Sequence, residues 1–195
     1  MRKILFIICW ALAGVGLYSC SLDEPSYGKT TSDNYYQKES DIEQALTGAY
    51  LQLRTTWNEY ALNHYFVGDC STDDALKGGG NDGDRAEVRD LSDFTIYTTN
   101  GEVGRRWEIL YRLINRCNDV IYYAPDAIGN EELLKRYANE AKALRAFGYY
   151  CLVTTFGEVP LITTPMQPAE ILQIPRSPLE KVCLLYTSPS PRDPK

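Results

Sequence analysis

Apolar positions along this chain fall into three stripes with helical spacing, set apart by polar, glycine-rich or proline-rich stretches. The first is Ile42, Ala45, Leu46, Ala49, Tyr50, Leu53 and Trp57, one face of a helix wide enough to need burial. Ser40-x-x-Glu43 has the capping-box pattern and predicts that this helix begins at Ser40. Val103, Trp107, Leu110, Ile114, Cys117 and Ile121 mark a second helix, from about Glu102 to Tyr123, with Pro125 at its end. Leu133, Leu134, Tyr137, Ala138, Ala141, Leu144, Gly148, Tyr149 and Leu152 mark a third, from about Asn130 to Phe156, with Gly157 suited to its C-terminus. Ala141, Ala143, Ala146 and Gly148 are small enough to let a partner helix come close.

The stretches between the stripes read differently. Residues 67–93 are rich in glycine and aspartate, and from Asp69 to Asp93 there are eight acidic and three basic residues. Asn81, Asp82 and Asp84 could donate oxygens to calcium, but the EF-hand order is absent, so a solvated surface loop is the better reading. Phe94–Thr98 alternates and carries β-branched residues, which predicts a short strand, and Asn100-Gly101 predicts a turn. Val159–Thr163 reads as extended, with Pro-rich irregular chain to Lys181. The body is therefore mainly α-helical with long loops. Trp107 and Leu110 in one helix, with Ala143 and Phe147 in the next, resemble a tetratricopeptide unit, although the spacing exceeds the repeat of about 34 residues.

The start of the chain belongs to none of this. Arg2 and Lys3 precede an apolar stretch of 14 residues, Ile4 to Leu17, the length of a secretory signal core. A membrane span would need roughly 18 or more. Leu17-Tyr18-Ser19-Cys20 then resembles the bacterial lipobox, whose cysteine is lipidated and becomes the first residue of the mature protein. Residues 1–19 are thus read as a lipoprotein signal peptide, Cys20 as the lipidated anchor and residues 20–39 as a polar tether. Asp23 and Glu24 resemble the acidic signals that send some lipoproteins to the cell surface.

Charge and side-chain inventory then exclude whole classes of function. Removal of residues 1–19 leaves 18 basic against 26 acidic residues, a net of −8, unsuited to nucleic acid or an anionic membrane surface. Cys70, Cys117 and Cys151 are an odd number at wide spacing, and no CxxC or Cys/His cluster suggests zinc. The chain has one histidine, His64, and no GxSxG elbow, so no enzyme activity, metal or cofactor is expected. Fifteen tyrosines supply apolar faces with polar tips, which suit sugar stacking and helix seams equally.

Asn139–Thr163 carries Glu140, Ala141, Leu144, Arg145, Ala146, Tyr149, Tyr150, Phe156, Gly157, Glu158, Val159, Pro160 and Leu161. In that order they resemble the signature segment of the SusD/RagB family of nutrient-binding outer-membrane lipoproteins of Bacteroidetes. Ser40–Arg54 is similar to the family's first helix, and Trp107, Tyr111, Ile114 and Asn118 to a second family helix. The resemblance covers nearly all of residues 1–181. It implies a tetratricopeptide-like α-α superhelix that captures an oligosaccharide or other nutrient at the cell surface. Delivery to a SusC-like TonB-dependent transporter would follow, without catalysis. The competing reading is a tetratricopeptide-like adaptor lipoprotein that binds only protein partners.

Tyr97 and Asn100 are the candidate ligand contacts, since they sit in a turn-bearing segment ahead of a rigid helix. Trp57 and Trp107 are assigned to buried stripes, and Arg145 to a structural ion pair. The family runs to several hundred residues, so residues 40–181 are expected to be the N-terminal part of its helical domain. Residues 182–195 lose all periodicity and resemble translated sequencing adaptor, so they are read as a non-native tail.

Overall fold

The computed structural model describes residues 35–54, 67–81 and 83–185. Its backbone is a helical hairpin, α3 (Gly101–Tyr123) and α4 (Glu131–Phe156), with α1 (Glu39–Tyr50) packed against both. A short helix α2 (Ala86–Ser92) precedes the hairpin. After it come strand β1 (Val159–Pro160), helix α5 (Pro168–Ile171), strand β2 (Arg176–Ser177) and helix α6 (Leu179–Cys183).

Both long helices start at asparagine. The Asn100 side-chain oxygen accepts from the backbone N–H groups of Glu102 and Val103, and Asn130 does the same for Glu132 and Leu133. Two orphan donors of each first turn are thereby satisfied. Gly157 closes α4 with φ +71, a conformation that favours glycine. Contacts between the helices pair rising with falling residue numbers: Arg106 with Thr155, Ile114 with Gly148, Asn118 with Arg145. The hairpin is therefore antiparallel, its ends joined by the short turn through Ala124–Asp126.

Two apolar clusters run along it. Ile42, Leu46 and Ala49 of α1 meet Leu113, Cys117 and Val120 of α3 and Leu134, Ala138, Ala141 and Leu144 of α4. Further along, Leu110 and Ile114 meet Tyr149 and Leu152, closed by Val159 of β1 and Val182 of α6. The long helices approach tightly at Gly148, where a Cβ would lie 3.1 Å from Ile114 Cγ1 and 3.4 Å from Leu113 Cδ2. Of the small residues on α4, Ala141 and Gly148 are buried, whereas Ala143 faces solvent beside Phe147 and Tyr150.

Several expectations need correction. The first helix opens at Glu39, not Ser40, because Asp41 rather than Glu43 reaches back, accepting from the Lys38 N–H at 3.0 Å. Glu39 in turn accepts from the Asn130 N–H at 2.7 Å, and Lys38 bridges to Ile128, tying the start of α1 to the hairpin turn. Tyr36, within the segment read as tether, stacks on Tyr123 at 4.3 Å and donates to the Asp119 carboxylate, so the folded body starts before residue 39. Burial raises the Asp119 pKa despite the Tyr36 hydrogen bond.

The acidic segment is only partly a surface loop. Val88 and Leu91 of α2 bury against Cys70 and form a third cluster with Val103. No strand forms at Phe94–Thr98. Phe94 adopts φ +56 and Thr95 N–H turns back to Asp90 at 2.9 Å, which leaves Phe94, Ile96 and Tyr97 exposed without a neighbouring strand. Of the extended Val159–Thr163, only Val159 and Pro160 pair, antiparallel to Ser177 and Arg176. Cys70, Cys117 and Cys151 are each buried in a different cluster and serve as small core residues. Trp57, His64 and Cys20 lie outside the described residues.

The close approach at Gly148 is testable in the full-length protein. Gly148→Val gains helix propensity but drives two methyls into Ile114 and Leu113, and should destabilise by about 2–3 kcal/mol. Urea unfolding followed by circular dichroism measures this; an unchanged midpoint would show that the helices separate at no cost.

Candidate functional site

The segment after α4 has almost no sheet to satisfy its backbone, so side chains of the hairpin do it. Tyr111 donates its hydroxyl to Pro160 O at 2.7 Å. Asn118, fully buried, donates its amide to Ile162 O at 3.0 Å. Tyr149 donates to the same carbonyl at 2.9 Å and accepts from Ile162 N–H at 2.6 Å. Arg145 Nη1 donates to Asn118 Oδ1 at 2.8 Å and to Thr163 O at 2.9 Å. Peptide groups taken from water need such partners, and here four side chains serve the carbonyls of Pro160, Ile162 and Thr163.

The electrostatics match structural work. Burial pushes the Tyr149 phenol up to about 12, so it remains a neutral donor and acceptor. Burial also works against the Arg145 charge, and its Nε is buried with no acceptor among the described residues. The expected ion pair is thus replaced by neutral acceptors, an amide and a carbonyl. The two N–H groups of Nη1 meet both oxygens at once.

Fixing this strand against α3 leaves a cleft of about 210 Å³ between them. Trp107, Tyr111, Ile114, Asn115 and Asn118 form the α3 wall, and Pro160, Ile162 and Ile171 face them. The Trp107 and Tyr111 rings lie 4.8 Å apart at 47°, and Phe156 meets Trp107 edge-on at 5.1 Å, so the aromatic wall is held from behind. Tyr111 and Asn118 already spend polar atoms on the strand. Asn115 is exposed, and its amide makes no hydrogen bond to a described residue. The arrangement offers aromatic faces, one open amide and no charged lining residue, which suits binding rather than acid–base chemistry.

The residues picked out in the sequence fall elsewhere. Asn100 is buried: its oxygen caps α3, and its amide donates to Glu87 O at 2.9 Å. Tyr97 is 65% exposed, with its ring in solvent. Neither lines the cleft. Trp107, assigned to a buried stripe, is only partly buried and shapes the cleft's aromatic wall. Asn115 went unnoticed, although it breaks the apolar stripe on the face shared by Trp107 and Tyr111. Asn81, one of the three calcium-donor candidates, uses its side-chain oxygen to accept from the Gly83 and Asp84 N–H groups.

Comparison with known proteins follows the same lines. The SusD-like family, described as starch-binding and associating with the outer membrane, matches residues 21–184. SusD-like protein P2 of Formosa agariphila is 29% identical over 92% of this chain and 35% of its own. SusD-like protein P25 of the same organism is 26% identical over 90% and 34%. A laminarin-binding SusD-like protein superimposes with a TM-score of 0.67 at 28% identity, covering 77% of this chain and 32% of its own. Surface glycan-binding protein A from Bacteroides fluxus gives 0.60 at 28% identity, covering 75% and 30%. The chain spans about a third of the length of the curated relatives it matches.

Removing the Asn118 amide separates this cluster's contribution from general packing. Asn118→Ala leaves the Ile162 carbonyl one donor short and strips Arg145 of an acceptor, which should cost about 2–4 kcal/mol in the full-length protein. Asn118→Asp keeps the acceptor for Arg145 but loses the donor to Ile162, so it should recover part of that loss at neutral pH. Thermal denaturation ranks the three proteins; an alanine variant as stable as wild type would discount the cluster.

Proposed function

We propose, on the premise that this chain belongs to the SusD-like family, that the full-length protein binds glycan outside the cell and passes it to a SusC-like TonB-dependent transporter. The observation that carries this is the match over residues 21–184 to a family described as starch-binding. The structural likeness to a laminarin-binding protein at 28% identity adds to it. The family is one of binding proteins, and the chemistry of the described residues is consistent with that. The cleft has aromatic faces and amides but no paired carboxylates or nucleophile. Sugars are held by such faces, with a few polar groups setting orientation.

Cys20 anchors the protein by lipid in the outer membrane, and the polar segment after it lets the helical body stand off the surface. Several acyl chains on one cysteine hold firmly, since each buried CH₂ contributes about 0.8 kcal/mol. Tyr97 adds an exposed stacking face beyond the cleft, and Asn100, capping α3, fixes the end of the loop that carries it.

Affinity electrophoresis of the full-length protein in gels containing laminarin or soluble starch tests the binding. Retardation by a neutral glycan is expected; passage through both gels while a transporter still co-purifies would favour the protein-only adaptor. Replacing Cys20→Ala should move the protein from the membrane to the soluble fraction and abolish palmitate labelling. Continued membrane fractionation of that variant would remove Cys20 as the anchor.

A further inference from the structure

We infer that the cleft between α3 and the strand after α4 takes one pyranose ring of a neutral glycan, stacked on Trp107 and read by the Asn115 amide. The inference rests on the glycan-binding reading and gives it a place in the fold. Three features support it. The Trp107 and Tyr111 rings, 4.8 Å apart and tilted by 47°, line the cleft with apolar faces of the kind that cover the C–H face of a sugar. Asn115, one turn further on, is exposed and offers a donor and an acceptor side by side, the pair that two adjacent hydroxyls require. None of the lining residues is charged, which fits a neutral sugar and gives a uronate no counter-charge.

The wall is also organised before any ligand arrives. Phe156 backs Trp107, and Tyr111 is fixed by its bond to Pro160 O, so little side-chain freedom is lost on binding. Pro160, Ile162 and Ile171 form the far side of a cleft of about 210 Å³. Trp107, Tyr111 and Asn115 follow one another at intervals of four residues, so a single helix face presents all three.

The test uses full-length protein, with laminarin and soluble starch as neutral probes and polygalacturonate as the acidic control. Asn115→Ala should bind the retained neutral glycan about 5- to 20-fold more weakly, with an unchanged melting temperature because the residue is exposed. Trp107→Ala should lose binding more completely; if it fails to fold, Asn115→Ala carries the test alone. Asn115→Cys should react with a maleimide and be protected by the neutral glycan but not by polygalacturonate. Equal affinity of Asn115→Ala and wild type would overturn the assignment while leaving glycan binding intact. So would an Asn115→Cys protein that resists maleimide without glycan, since the rest of the full-length chain would then cover the cleft. Wild-type protein retained by neither neutral glycan would remove the glycan reading itself, and this placement with it.

Discussion

Everything downstream of the helical hairpin depends on how Val159–Thr163 is held. Such a segment, nearly without sheet partners, would ordinarily run over the surface and bond to water. Here Tyr111, Asn118, Arg145 and Tyr149 bring donors to its carbonyls, and Tyr149 also takes the Ile162 N–H. The cluster is polar, buried and almost fully satisfied, the condition under which such a network favours one arrangement over its neighbours. The buried Arg145 Nε marks its cost.

The network can form only because the two long helices sit at one register. Asn118 and Arg145 face each other when Ile114 packs over Gly148, and the absent Cβ at Gly148 permits that distance. A slide by one turn would separate the amide from the guanidinium and bring Leu144 or Leu152 against Ile114. Close packing at a glycine and hydrogen bonding between buried side chains thus specify the same geometry. The cleft follows from it: α3 supplies one wall, the pinned strand and α5 the other.

The same cluster draws together residues of the segment on which the resemblance to the SusD-like family rests. Arg145, Tyr149 and the strand residues from Val159 lie in one short stretch of sequence because the helix end and the strand after it fold back on each other. Tyr111 and Asn118 come from the preceding helix, at the positions where the antiparallel hairpin brings them opposite. In this chain these side chains hold irregular backbone, and the cleft lies beside it.

The sequence alone determined the long helices and their order. Three stripes at helical period, Pro125 and Gly157 sufficed, because such signals are local and each residue reports on neighbours a few positions away. It misjudged Phe94–Thr98, where alternation suggests a strand that finds no partner and the chain closes α2 instead. It also misjudged the start of α1: Ser40-x-x-Glu43 suggests Ser40, whereas Asp41 accepts from the Lys38 N–H and contact with the hairpin turn holds Glu39 in the first turn. Asn100 reads as a ligand contact or as part of an Asn-Gly turn, and only the observed bonds to Glu87, Glu102 and Val103 show it capping α3. Trp107 reads as core because a stripe gives a direction but no edge. Whether a side chain on that stripe is covered or borders a cleft depends on what lies across from it. That was decided by tertiary structure, through contacts between α3 and a strand some 50 residues later, which no local pattern encodes.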